Sequence, residues 1–85
     1  MNWNVVVTKY VRKQVTRVPR VDAERIQVVL LGMKESPFRG DIVKLGGDGD
    51  RWRRRVGNYR ILFNVLSGER TVFVYDISRR TSGTY

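Results

Sequence analysis

Positions 51–60 read RWRRRVGNYR, five arginines and no acid in ten residues, and the chain then turns apolar as ILF. Guanidinium groups crowded this closely repel one another, and a small domain tolerates such a cluster most readily when it meets an anion. The planar guanidinium fork binds phosphate through paired hydrogen bonds and stays protonated at any accessible pH. It can hold negative charge but cannot serve as a base. The sequence has no histidine, which removes the usual general base near neutral pH and the commonest metal ligand. Asp41, Asp48 and Asp50 are the carboxylates that could hold magnesium, yet a two-metal nuclease needs ligands converging from rigid elements. They lie in or beside a glycine-rich loop, GGDG at 46–49, that also lacks the Lys and Ser/Thr of a P-loop. No metal and no cofactor are expected.

The arginines must be positioned by a hairpin. A two-residue turn at Gly57 and Asn58 pairs Val56 with Tyr59 and Arg55 with Arg60. Alternation then sets Arg51, Arg53, Arg55 and Arg60 on one face and Trp52, Val56, Tyr59, Ile61 and Phe63 on the other, with Arg54 the exception on the apolar side. A solvated edge strand guarded by charge is the plainer explanation of a basic strand. That explanation suits Arg54 or Arg80 taken singly; four arginines sharing one face, with no alternating Glu, favour phosphate binding.

The rest of the chain supplies a cover for the apolar face. Residues 3–7 read as a short buried strand, and Thr8 offers an N-cap to a helix with the stripe Val11, Val15, Val18, stopped by Pro19. Asp22 is placed to cap a second helix carrying Ile26, Val29, Leu30 and Met33, ended by Ser36 and Pro37. Residues 8–35 thus form a helical hairpin with one apolar side. Beyond it the period is two: residues 42–45, 51–56, 59–65 and 71–77 are strand segments separated by GGDGD, Gly57-Asn58 and SGER. The class is α+β in the order β-α-α-β-β-β, an antiparallel-rich sheet with the two-helix hairpin on one face, as a single domain over residues 1–85. For the last strand either Val72 and Val74 or Phe73, Tyr75 and Ile77 can face the helices, and a one-residue slip exchanges them.

Seventeen Lys and Arg against eight acids give a net charge of +9 and a pI near 10.9. Thirteen of the seventeen are arginine, which favours bidentate phosphate recognition over a point charge. Nucleic acid is the first partner implied and an acidic protein the second. A plain RNA-binding module fits less well, because aromatic residues interleaved with the arginines as stacking platforms are not apparent. With no cysteine, no basic leader before an apolar run and no run able to span a bilayer, a cytoplasmic protein without membrane contact is expected.

The block WRRRVGNYRILFNV, followed by VFVYDISRR and a terminal Tyr85, after a short strand and a two-helix hairpin ending in a proline and KLGG, resembles the RelE/ParE superfamily of bacterial and archaeal toxins. The resemblance covers essentially the whole chain. It implies the RelE-like microbial RNase fold and a toxin held inactive by an acidic antitoxin encoded beside it, with operator DNA reached only through that antitoxin. RelE-like members enter the ribosomal A site and cut mRNA; ParE-like members instead inhibit DNA gyrase without RNase activity.

Carried over by position, the RelE-type basic pair on the strand before the turn falls on Arg51 and Arg53. The arginine after the turn tyrosine is Arg60, the arginine after the last strand is Arg79, and the C-terminal tyrosine six residues on is Tyr85. This spacing favours RelE over ParE. The strand pair is lysine in the best-known RelE pattern, so any proton-transfer role of those lysines does not pass to arginine. The implied chemistry is metal-independent: a ribose 2′-OH attacks the adjacent phosphate, arginine forks stabilise the phosphorane, and Tyr85 moves the proton. Lys44, Arg54, Arg55 and Arg80 are the further basic residues expected to contact mRNA or ribosomal RNA. Tyr59 and Trp52 are expected in the core.

Overall fold

The computed structural model describes residues 2–46 and 50–79. Strand β1 (Asn4–Val7) leads into helices α1 (Lys9–Thr16) and α2 (Arg20–Gly32). Then come β2 (Ile42–Lys44), β3 (Arg51–Val56), β4 (Tyr59–Leu66), a 3-10 turn (Ser67–Glu69) and β5 (Thr71–Arg79). Among the described residues the strands form one five-stranded sheet in the order β1-β5-β4-β3-β2. β1 runs parallel to β5 and the other pairs are antiparallel. The α+β class holds. All four strand segments expected after the helices are present, so the order is β-α-α-β-β-β-β, one strand more than β-α-α-β-β-β counts, with Ile42–Lys44 the edge strand on Arg54, Arg53 and Trp52.

Local chemistry explains the helix ends. Thr8 caps α1 as expected, its Oγ1 accepting the Val11 N–H at 3.1 Å. Asp22 does not cap α2. That helix begins at Arg20 behind Pro19, whose φ of −52° and lack of an N–H suit a helix entrance, with no side-chain cap bond. Asp22 instead lies within the first turn, where a carboxylate meets the positive end of the helix dipole.

Val11, Ile26 and Met33 from the helices close on Ile61, Phe63, Val65, Val72, Val74 and Ile77 from the central strands. Val15, Val18, Val29, Leu30 and Trp52 complete the layer while partly exposed. The register of β5, open in the sequence, is decided by a bulge. Phe63 pairs with Val74 and Leu62 with Asp76, so Tyr75 has no partner in β4. One extra residue reverses the alternation. Val72 and Val74 before it and Ile77 after it are therefore all buried, and Phe73 faces the other way.

Past the bulge, β5 outruns β1, whose last pair is Val7 with Val74. The carboxamide of Gln14 on α1 takes over there. Its Oε1 accepts the Ile77 N–H at 2.9 Å, and its Nε2 donates to the Ile77 carbonyl at 2.7 Å and to Asp76 Oδ1 at 3.0 Å. A primary amide offers the same donor and acceptor as a peptide group, so one side chain substitutes for a strand neighbour.

Replacing fully buried Ile61 by Ala should cost about 2–5 kcal/mol in urea-induced unfolding, a large share of the stability of so small a domain. Val43→Ala, at a position 43% exposed, should stay within about 0.5 kcal/mol.

Candidate nucleic-acid interface

The β3–β4 hairpin turns through Gly57 at φ +57°, with Asn58 at negative φ, the pattern of a type II′ turn that needs glycine first. Pairing runs Val56 with Tyr59, Arg55 with Arg60, Arg54 with Ile61, Arg53 with Leu62 and Arg51 with Asn64. Ile61, Phe63 and Val65 are buried under the helices, so Arg51, Arg53, Arg55 and Arg60 occupy the opposite, uncovered face. Leu62, Asn64 and Val43 lie among them by register.

Two arginines on this face have distinct surroundings. The stem of Arg53 is half-buried, and its Nε, like those of Arg54 and Arg55, is shut off from solvent without a hydrogen-bond partner. A sequestered guanidinium donor is costly to leave unpaired, so an arriving anion gains more there than at a solvated group. Arg55 has company the sequence did not announce. Its Nε lies 3.8 Å from Asp41 Oδ2, and its backbone N–H donates to the Asp41 carbonyl at 2.9 Å. Asp41 is thus committed to the hairpin. Among the described residues no three His, Cys, Asp or Glu side chains gather as a metal site would require.

The remaining candidate residues divide. Arg54 crosses to the helix side, where Nη1 donates to the Arg39 carbonyl at 2.7 Å and the guanidinium lies against Gly40. It ties the segment after α2 to the hairpin and does not share the face of the other four. Lys44 is exposed at the sheet edge, opposite Trp52 and so on the helix side by register. Arg79 is the last residue of β5, two positions beyond the expected strand end, and pairs with Tyr59. Its register position therefore belongs to the helix side, while its neighbour Ser78 stands opposite Arg60. Arg80, Tyr85 and Asp48 lie outside the described residues. Tyr59 is in the core and Trp52 packs against it. Trp52 ends an edge-to-face series in which Phe38 meets it at 5.4 Å and meets Trp3 at 5.8 Å.

The sequence reading missed Phe73. The bulge turns it onto the arginine face, where it is 39% exposed in register with Asn64. The signal was the out-of-phase apolar pattern of VFVYDI, which a single regular strand cannot bury. Gly40 was also missed, and only its φ of +85° reveals why glycine stands there.

A one-sided α+β sheet with a basic open face is the class this architecture defines. The chain is 30% identical over 88 aligned positions to the protein of Methanocaldococcus jannaschii described as toxin RelE1, covering 100% of this chain and 97% of that one. The chain belongs to the RelE toxin family. The RelE of the archaeal RelE–RelB complex from Pyrococcus horikoshii OT3 superposes with a TM-score of 0.86 at 24% identity, over 98% of this chain and all of that one. The matching chain of the RelB–RelE antitoxin–toxin complex from Methanococcus jannaschii gives a TM-score of 0.74 at 26% identity, over 87% and 88% of the two chains. The isolated Escherichia coli RelE toxin gives 0.80 at 19% identity, over 96% of this chain and 88% of that one. No protein-family profile matches the chain.

Gly40→Ala should lose about 1–3 kcal/mol of stability, the usual cost of a left-handed residue with a side chain. The new methyl group should also displace the Arg54 guanidinium from the Arg39 carbonyl. Thermal unfolding of Gly40→Ala, Arg54→Ala and the double variant should therefore show non-additive losses.

Proposed function

We propose that this toxin is a metal-independent, ribosome-dependent endoribonuclease of the cytoplasm that cuts mRNA in the ribosomal A site and is neutralised by an acidic antitoxin. The observation that supports this most directly is the row of arginines on the uncovered sheet face, where the Nε atoms of Arg53 and Arg55 are both buried without a hydrogen-bond partner. A phosphate supplies the acceptor that the rest of the chain does not.

The chemistry needs one proton removed from a ribose 2′-OH, an attack on the adjacent phosphorus, and stabilisation of the dianionic phosphorane that follows. The products are a 2′,3′-cyclic phosphate and a 5′-OH. Arg51, Arg53 and Arg60 are assigned to the non-bridging oxygens, where fixed cationic donors lower the barrier as charge develops. Arg55 sits opposite Arg60 and, restrained by Asp41, is assigned to holding the RNA backbone. Arg79 is given the same phosphate and Tyr85 the proton. The spacing shared with RelE supports those two roles, although Arg79, on the helix side by register, has to reach round the strand end beside Ser78 to meet a phosphate on the open face. Lys44, Arg54 and Arg80 are left with at most peripheral RNA contact.

The antitoxin assignment rests on charge and shape. Between α1, α2 and β1 runs a groove of about 450 Å³ lined by Val5, Val7, Val15, Leu30 and Leu31, with Arg12 and Lys34 among the lining residues. An amphipathic helix with acidic flanks fits an apolar floor with basic margins. The RelE structures from Pyrococcus horikoshii and Methanococcus jannaschii are complexes with RelB.

Produced without its partner, the protein should halt translation and leave mRNA cut at ribosome-occupied positions, and chelators should not alter the rate. Inhibited supercoiling by purified gyrase with mRNA intact would instead assign it to the gyrase-directed toxins. Arg60→Ala, Arg79→Ala and Tyr85→Phe should each reduce cleavage of programmed ribosomes by an amount equivalent to about 2.7–4 kcal/mol of transition-state stabilisation, with unfolding midpoints unchanged. Parental cleavage by Tyr85→Phe would remove the tyrosine from proton transfer. Antitoxin association should slow as salt rises; an on-rate indifferent to ionic strength counts against charge-guided capture.

A further inference from the structure

We propose that Phe73, with Asn64 beside it, forms a base-binding subsite for single-stranded RNA on the arginine face; the inference rests on the RNA-cleaving reading above. Its neighbours Val72 and Val74 are fully buried, whereas Phe73 is 39% exposed. Its pairing with Asn64, between buried Phe63 and Val65, sets it on the side away from the helices. Across the sheet at its level stand Val6 on β1, Phe73 on β5, Asn64 on β4 and Arg51 on β3. The next level up the open face holds Asp76, Leu62, Arg53 and Val43.

The spacing suits RNA. Strands lie about 4.8 Å apart, and same-face residues two positions apart along a strand are separated by about 6.6 Å. Arg53 stands two strands over and one level up from Phe73, about 12 Å between backbones, a span that the arginine side chain and one nucleotide bridge together. Aromatic side chains on the open face of a sheet are a general means of stacking unpaired bases. The stacked base would lie over Phe73 with its edge toward the Asn64 carboxamide, which offers both a donor and an acceptor. Of the acids on this face, Asp41 is engaged by Arg55 at the far edge, and Asp76, nearer Phe73, has its carboxylate drawn to the sheet edge by Gln14 Nε2 at 3.0 Å. The neighbouring charge is therefore positive, which selects a polyanion over an acidic side chain reaching an apolar patch.

The test compares shape with stacking. Phe73→Leu keeps an apolar side chain but has no π face, and Phe73→Trp keeps the π face. On programmed ribosomes Phe73→Leu should lower kcat/KM about tenfold or more, while Phe73→Trp stays within about threefold and antitoxin affinity is nearly unchanged in both. An mRNA with an abasic nucleotide next to the cleavage site should slow the parent protein and abolish its advantage over Phe73→Leu. Asn64→Ala should change which base is preferred at that nucleotide. Parental kcat/KM in Phe73→Leu, or an abasic message cut as fast as the intact one, overturns the subsite. So does a loss confined to antitoxin binding, which makes Phe73 a protein contact. If Phe73→Leu does not fold, the abasic message with the parent protein decides alone. A parent protein that leaves programmed ribosomes uncut overturns the RNA-cleaving reading itself, and that result is distinct because it appears without any substitution.

Discussion

The arrangement depends on one constraint: the helical hairpin covers only one side of the sheet, and the β3–β4 hairpin cannot change phase. Ile61, Phe63 and Val65 are locked beneath Val11, Ile26 and Met33, and a shift of one residue would carry charge into the core and the apolar residues into water. The Gly57 turn sets the partner strand to that phase. Because the core holds β4, it also holds β3, and the position of each arginine follows from hydrocarbon packing on the far side. The electrostatics of the open face are thus imposed by apolar burial.

That imposition has an energetic counterpart. Like charges brought together on two adjacent strands oppose compaction, and a chain of 85 residues has little surplus stability to oppose them with. The fold limits the repulsion in two ways. Arg54 is taken across the sheet to the Arg39 carbonyl, and Arg55 is given Asp41 as a neighbour. Arg53, Arg54 and Arg55 all keep an Nε without a hydrogen-bond partner. An anion docked on the open face would supply acceptors to Arg53 and Arg55, and any ligand held only by the folded hairpin would stabilise it.

Much of this was legible in the residues themselves. The period-two pattern of 51–63 with a glycine turn specified both hairpin faces, including the anomalous side of Arg54, because local pairing and local alternation suffice for that. The helical stripes and the Thr8 cap were readable for the same reason. What resisted reading depended on partners distant in sequence. The β5 register needed Phe63 and Val74 to meet, the role of Asp41 needed β2 to dock on β3, and the entrance to α2 turned on Pro19 outcompeting Asp22. The position of Arg79 is a subtler case: its spacing from Tyr85 matched the RelE pattern, but its pairing with Tyr59 follows from a bulge four residues earlier that no spacing records.

Gln14 has a bearing on solubility. Where β1 ends, the outer edge of β5 would present unsatisfied peptide groups to any passing strand, and such edges invite intermolecular pairing. By occupying both backbone groups of Ile77, the glutamine ends the ladder on that edge. A bare domain meets copies of itself at whatever concentration prevails. A closed edge favours a dispersed domain over a sheet-to-sheet aggregate, so solubility depends in part on a helix residue outside the arginine hairpin.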